Sequence, residues 1–202
     1  TTPTDSTKKW RSIIVGTFGA GGKGIYALDV TNELEPTVLF EYNHADMGYV
    51  LGKPVIIPTA DGRWAVVVGN GVDTGTTSKL FIIDLEAPYS SATQILDTGT
   101  GSGLSAPSVL TDNIGVAKTV YAGDLNGNMW RFNIDNASSS SWSSYKVYKA
   151  ITAASLEQAI VAAPTISFNA QLNKNMIYFG TGKYHDSIDK SVGGVRHSFY
   201  AV

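Results

Sequence analysis

The chain has 202 residues, of which 43% are hydrophobic, 10% aromatic and only 16% charged, with 21 glycines and no cysteine. This apolar content supports a sizeable core and excludes disorder throughout the chain, while the lack of cysteine excludes disulfides, zinc ribbons and thiol catalysis. The net charge of −2 provides no basic surface for nucleic acid or an anionic membrane. Low charge and abundant glycine are typical of a turn-rich, all-β protein.

One pattern occurs four times along the chain. Each copy contains an apolar strand that reaches a glycine, and these glycines are spaced by 53, 54 and 57 residues at Gly16, Gly69, Gly123 and Gly180. The last three copies open on a proline, at Pro54, Pro107 and Pro164. Proline has no N–H to donate and therefore suits the start of a strand. Glycine permits a positive φ or a close backbone approach where neighbouring units crowd.

A third strand carrying an aromatic residue follows each glycine, and a fourth strand closes the first three units. The third strands are predicted at 25–29, 80–84, 129–133 and 199–202, and the fourth at 37–42, 93–96 and 145–148. An Asp or Asn after the third strand suits a turn, because its short side chain can accept from local backbone N–H groups. Short antiparallel four-stranded units in series predict an all-β fold, a β-propeller of about four blades of 53–57 residues.

The predicted blades span approximately residues 10–45, 46–100, 101–155 and 156–202 of a single propeller region. The first blade lacks its opening strand and the last lacks its fourth. We therefore predict that the chain is an arc of a larger propeller. The alternative is a compact four-bladed ring closed by Thr1–Lys9.

Specific strings carry a family resemblance. The most specific is Tyr121-Ala122-Gly123-Asp124-Leu125-Asn126-Gly127-Asn128-Met129-Trp130-Arg131-Phe132. Further strings occur before and after it along the chain, at Trp10–Gly16, Gly19–Thr31, Met47–Pro54, Arg63–Gly71, Gly180–Tyr184 and Ser198–Tyr200. In this order the strings resemble the C-terminal β-propeller of the PilY/PilC-type type IV pilus biogenesis proteins, over nearly the whole chain. Asp124 and Trp130 are assigned to the structural signature with the glycines and prolines above.

The resemblance implies a non-enzymatic, cell-surface component of type IV pili that docks at the pilus tip. It implies roles in pilus assembly, in control of extension and retraction, in twitching motility and in adhesion. The implied partners are minor pilins or other pilus-tip proteins, and host surface molecules, without nucleic acid or membrane insertion. The implied location is extracellular and pilus-associated, for an exported bacterial protein whose signal peptide is not in this chain.

The resemblance also implies a calcium loop just before Tyr121. Asp112, Asn113 and Gly115 remain in this loop, but Leu110, Ile114 and Lys118 stand at the other expected ligand positions. Calcium needs several oxygen ligands, and a lysine ammonium opposes a cation. We therefore expect a plain hairpin turn and no cofactor, with Ca²⁺ as the ion that the resemblance implies.

Two further sets of residues are candidates for binding. Asn70 and Asp73 bring oxygens to a glycine-rich loop and are a second candidate for a cation, with a turn as the simpler interpretation. Trp142 follows a run of serines and is expected to be exposed, as a candidate for stacking on a partner or ligand. Trp64 and Trp130 lie at repeating strand positions and are expected to pack between blades.

Two alternative functions come from other classes of protein. A quinoprotein-type propeller dehydrogenase would need a calcium-bound quinone, an acidic base and, commonly, adjacent cysteines. A glycan-binding, lectin-like propeller would stack its ligand on Trp142. No catalytic residue is assigned, because the three histidines have no metal-ligand spacing and no Gly-x-Ser-x-Gly motif occurs.

Overall fold

The regular secondary structure is antiparallel sheet. The computed structural model describes residues 10–185, 187–190 and 196–202. The first sheet contains β1 (Ile13–Thr17), β2 (Ile25–Asp29) and β3 (Thr37–Tyr42). The second contains β4 (Val55–Pro58), β5 (Trp64–Gly69), β6 (Lys79–Asp84) and β7 (Gln94–Asp97). The third contains β8 (Ser108–Thr111), β9 (Ala117–Gly123), β10 (Asn128–Asn133) and β11 (Ser143–Lys149). The fourth contains β12 (Thr165–Asn169), β13 (Lys174–Gly180) and β14 (Phe199–Ala201).

Each sheet is a meander in which neighbouring strands follow one another in sequence. Within the described residues, the middle sheets have four strands, and the first and last have three. β4, β8 and β12 begin directly after the three repeated prolines. The all-β propeller with incomplete first and last blades is therefore confirmed. Helical structure in the described residues is limited to 3-10 turns at Gly19–Gly21, Ser139–Ser141 and Ser187–Lys190, so none of their helices has the length and apolar character to cross a membrane.

The core lies between the sheets, and the second strand of a blade contributes to both sides. In β5, Val66 and Val68 pack towards the first sheet, in a cluster with Phe81. Ala65 and Val67 pack towards the third sheet. Because successive side chains of a strand point to opposite faces, the continuous apolar run of β5 is the consequence of burial on both faces, as the sequence indicated. Each large side chain buried in this way contributes ~1.5–3 kcal/mol.

Three buried apolar clusters connect the blades in series. They join the first sheet to the second, the second to the third, and the third to the fourth. Among residues 10–185, 187–190 and 196–202, no such cluster joins the fourth sheet to the first. The segment Thr1–Lys9, which would close the alternative four-bladed ring, lies outside the described residues.

Two of the repeated glycines, Gly69 and Gly123, permit successive blades to approach closely. A Cβ added at Gly69 would lie 2.3 Å from the carbonyl oxygen of Leu104, and one at Gly123 would lie 2.3 Å from the side chain of Ile160. The approach allows hydrogen bonds between blades, from the N–H of Gly71 to the carbonyl of Leu104 at 2.9 Å, for example. Close approach, rather than a positive φ, is therefore what requires glycine at these two positions.

The acidic residues that end the third strands hold the following turns. Asp84 accepts hydrogen bonds from the backbone N–H groups of Glu86 (2.9 Å) and Ala87 (2.8 Å), as expected. In the first blade, Asp29 accepts from the N–H of Thr31 at 2.9 Å and pairs with Arg11 at 2.6 Å. Hydrogen bonds from Thr31, with a smaller contribution from Arg11, lower the pKa of Asp29 to about 2.

The close approach of blades predicts that alanine is destabilising at one repeated glycine and nearly neutral at another. Gly69→Ala should lower the free energy of unfolding by about 1–3 kcal/mol, because the new methyl group overlaps backbone oxygens that cannot move independently. Gly180→Ala is the matched control, since a Cβ there meets no atom of the described residues within 4 Å, and its effect should stay within about 0.5 kcal/mol. Urea unfolding of the 202-residue chain measures both. Equal effects of the two substitutions would contradict this account of the glycine repeat.

Candidate functional site

The most specific string of the sequence forms a tight connection between β9 and β10, and Asp124 organises it. Asp124 is fully buried, and its Oδ1 accepts the backbone N–H groups of Asn126 (3.0 Å) and Asn128 (2.9 Å). Gly127 adopts a φ of +80°, and a Cβ there would collide with the carbonyl oxygens of Ala150 and Gln158. The string therefore specifies one turn that is packed under the connection to the next blade.

The second carboxylate oxygen of Asp124 joins two blades. Oδ2 accepts from Asn128 Nδ2 at 2.8 Å, from Trp130 Nε1 at 2.7 Å and from the hydroxyl of Ser78, in the second blade, at 3.1 Å. A buried charge is costly unless hydrogen bonds satisfy it, and five donors do so here. The sequence marked Asp124 and Trp130 as a signature without indicating that they are bonded to each other.

Asn70 occupies the corresponding place after Gly69 in the second blade. Its Oδ1 accepts from the N–H groups of Lys79 (3.1 Å) and Leu104 (2.9 Å), and its Nδ2 donates to the carbonyl of Thr77 at 2.9 Å. Asp73 lies on the surface instead, where its backbone carbonyl accepts from Lys23 at 2.7 Å. The amide oxygen of Asn70 therefore accepts hydrogen bonds from backbone N–H groups. It does not form a shared cation site with Asp73 in this structure.

The degenerate calcium loop forms the hairpin turn between β8 and β9. Asp112 Oδ1 accepts from the N–H groups of Ile114 (3.1 Å) and Val116 (2.9 Å), and Lys118 lies 3.3 Å from Oδ2. Desolvation acts to raise the pKa of Asp112, but these hydrogen bonds and Lys118 outweigh it and lower the pKa. Gly115 supplies a φ of +89°. Both oxygens of Asp112 are therefore engaged within the turn.

The expectation of an exposed Trp142 is wrong. Only 8% of the residue is exposed, because the serine run forms a 3-10 turn that returns the indole to the apolar cluster between the second and third sheets. The indole N–H donates to the carbonyl of Asn136 at 2.7 Å. Trp130 is buried in the same cluster, as expected, whereas Trp64 is 54% exposed and does not pack between blades.

A polar cavity of about 290 Å³ adjoins the Asp124 turn. It lies between the connection from the second to the third blade, the turn after β9, and the connection that follows β11. Its lining residues are all polar or glycine: Thr100, Gly101, Asn126, Asn128, Lys146, Lys149 and Glu157. The three segments are far apart in sequence, which is why the repeat pattern gave no sign of the cavity.

Charged groups in the polar cavity are partly paired. Lys149 Nζ lies 2.6 Å from Glu157 Oε1 and donates to the carbonyl of Asn126 at 2.6 Å. Asn126 Nδ2 donates to Glu157 Oε2 at 2.7 Å. The hydrogen bonds from Lys149 and Asn126 lower the pKa of Glu157, which is therefore ionised at neutral pH. Lys146 Nζ lies 5.6 Å from the ring centroid of Trp130.

The opposite edge of the blades carries exposed apolar side chains. The connections between the first and second strands of the last three blades all lie at this edge, since each blade is an antiparallel meander. Large exposed side chains occur in or beside these connections in every one of the three blades, and we call them the apolar rim: Trp64, Ile114, Phe168 and Leu172. Ile114, at the tip of the degenerate calcium loop, is 80% exposed.

No cluster of three or more His, Asp or Glu side chains suited to a metal ion occurs within the part of the chain that the structure describes. His44 contacts the ring of Phe81 with centroids 5.5 Å apart, and its Nδ1 accepts from the N–H of Asp46 at 3.1 Å. His44 therefore contributes to local packing and to the turn after β3.

Comparison with known proteins identifies one family over the chain. The model of the PilY1 beta-propeller domain matches residues 2–201. The type IV pilus biogenesis factor PilY1 of Pseudomonas aeruginosa PAO1 is 36% identical over 209 residues, covering 89% of this chain and 18% of that protein. A PilY1 homologue of Xylella fastidiosa Temecula1 is 36% identical over 198 residues, covering 93% of this chain and 16% of that protein.

A solved structure has the same fold. The crystal structure of the Pseudomonas aeruginosa PilY1 C-terminal domain superposes with a TM-score of 0.85 at 32% identity, covering 96% of this chain. The chain spans 45% of that domain and less than a fifth of the curated relatives. The propeller fold inferred from the repeats is thus the fold of a related protein.

The bonds of Asp124 predict that this carboxylate is essential to stability. Asp124→Ala should lower the free energy of unfolding by at least about 3 kcal/mol, because it leaves buried donors of Asn128, Trp130 and Ser78 without an acceptor. Asp112→Ala removes a carboxylate from a surface turn and should change the unfolding midpoint far less. Chemical denaturation followed by tryptophan fluorescence compares the two. A comparable loss in both variants would show that burial of the carboxylate is unimportant.

The degenerate loop predicts that calcium does not bind to this chain at micromolar concentration. Leu110 and Lys118 stand at positions where the family resemblance implies oxygen ligands, and the Asp112 oxygens are already engaged. Isothermal titration with calcium should give no saturable heat. Micromolar binding that Asp112→Ala abolishes would overturn this expectation.

Proposed function

This chain belongs to the PilY1 β-propeller family, and from that premise we propose that it is the propeller region of a type IV pilus biogenesis factor. The observation that carries the proposal is the match to the family's propeller over nearly the whole chain, residues 2–201. Relatives in two genera that bear the name of type IV pilus biogenesis factor or its homologue support a pilus-associated role. The corresponding location is the cell surface or the extracellular pilus.

The proposed activity is binding, without a catalytic step. A rigid array of blades can present a surface for a partner while its loops vary. The apolar rim supports protein docking, since exposed apolar side chains recur at the same edge of three successive blades. The proposed partners are minor pilins or other proteins of the pilus tip. Through these contacts the propeller would support pilus assembly, the balance of extension and retraction, and adhesion.

Substitution of the apolar rim in the full-length protein tests this proposal. Combining Trp64→Ser, Ile114→Ser and Phe168→Ser should reduce capture of minor pilins in a pull-down and reduce the number of surface pili, because it removes apolar contact area without touching the core. Deletion of the whole propeller segment provides the reference phenotype: loss of surface pili and of twitching at normal pilin levels.

The matched control places the same kind of change at the opposite edge. Leu51 and Tyr184 are exposed apolar residues in connections at that edge, so Leu51→Ser with Tyr184→Ser should preserve capture and piliation. Normal piliation after deletion of the segment would refute the pilus function. Normal capture by the rim variant, or equal loss in the control, would refute docking through the rim.

A further inference from the structure

The degenerate calcium loop is closed by a cation that belongs to the chain itself. Lys118 Nζ lies 3.3 Å from Asp112 Oδ2, and the two side chains are only 38% and 24% exposed. The other oxygen of Asp112 accepts hydrogen bonds from the backbone N–H groups of Ile114 and Val116. Groups of the chain therefore satisfy both oxygens of this carboxylate without an ion from solution.

The side chains of this loop do not fit calcium. Calcium takes about six to eight oxygen ligands, whereas Leu110 and Ile114 offer no side-chain oxygen at two positions where the resemblance implies one. A divalent ion bound to Asp112 Oδ2 would also lie close to the ammonium group of Lys118, and like charges repel each other strongly at such short range. Lys118 thus supplies positive charge at the place where calcium would supply it.

The corresponding hairpin of the second blade has the same arrangement. Its turn contains Asp61 and Gly62, and Arg63 stands immediately before β5. Arg63 Nε donates to Asp61 Oδ2 at 2.8 Å, and Gly62 has a φ of +83°, close to the +89° of Gly115. A turn aspartate, a glycine with positive φ and a basic side chain therefore occur in this order in two successive blades. In both hairpins the basic side chain pairs with the aspartate.

We propose that the Lys118 ammonium group takes the place of the calcium ion and holds this hairpin in one conformation at any calcium concentration. It neutralises Asp112 Oδ2, while Oδ1 keeps its two backbone hydrogen bonds. The tip of the hairpin presents Ile114, which is 80% exposed, so the position of this side chain in the apolar rim does not depend on calcium. The inference concerns the loop itself and does not require a partner at the rim.

Amide hydrogen exchange of the purified 202-residue chain, followed by NMR, tests the proposal. The amides of Ile114 and Val116 report the bonds to Asp112, and their exchange should be the same in excess CaCl₂ and in EDTA. Lys118→Met removes the charge and should speed their exchange at least about threefold, whereas Lys118→Arg should retain the protection. Lys174→Met, in the corresponding hairpin of the fourth blade, is the matched control and should change neither amide. Unchanged exchange in Lys118→Met, or wild-type protection that EDTA abolishes, would overturn the proposal.

A pair of variants tests whether Lys118 excludes the metal ion. Leu110→Asp with Ile114→Asp adds two carboxylates and keeps the lysine, and a triple variant adds Lys118→Asp. Isothermal titration with CaCl₂ should give saturable binding to the triple variant and at least about tenfold weaker binding to the double variant, because the ammonium group still repels the ion. Thermal unfolding confirms that both variants are folded. Comparable binding to the two variants, or no binding to the folded triple variant, would show that Lys118 does not stand in the place of calcium.

Discussion

The distance between the backbones of successive blades is the constraint on which the structure depends. Gly69 and Gly123 lie where the opening segment of the next blade crosses the end of a second strand, and a methyl group at either position would overlap that segment. The approach permits backbone bonds between blades, including one from the N–H of Ile160 to the carbonyl of Asp124 at 2.9 Å. The apolar clusters between sheets and the buried Asp124 carboxylate both require this spacing.

The two edges of the blades differ in chemistry. One edge carries the apolar rim, whose side chains stand in or beside short hairpins and face solvent. The other carries the polar cavity, enclosed by longer connections that hold Asn128 and Glu157 against Asp124 and Lys149. The exposed apolar side chains and the polar, charged side chains of this propeller therefore lie at opposite edges of the blades.

Local features of the fold could be predicted from the sequence, while contacts between distant segments could not. Proline before a strand and the apolar run of β5 identify strands directly, and β2 and β3 have the predicted bounds. Trp142 was assigned wrongly because a polar serine run says nothing about the direction in which the next side chain turns. The polar cavity brings together residues from segments 100–101, 126–128 and 146–157. A periodicity within one blade cannot predict contacts between such distant segments.

The sharing of β5 between two apolar clusters has a consequence for how the chain folds. Val66 and Val68 pack on one side of the sheet, and Ala65 and Val67 pack on the other, so an isolated second blade would expose an apolar face to water in either direction. Its stability is then a property of nearest-neighbour coupling, as in repeat proteins whose units fold only against adjacent units. Order should propagate from an established pair of blades to the next, and disorder should propagate from a lost blade in the same stepwise way.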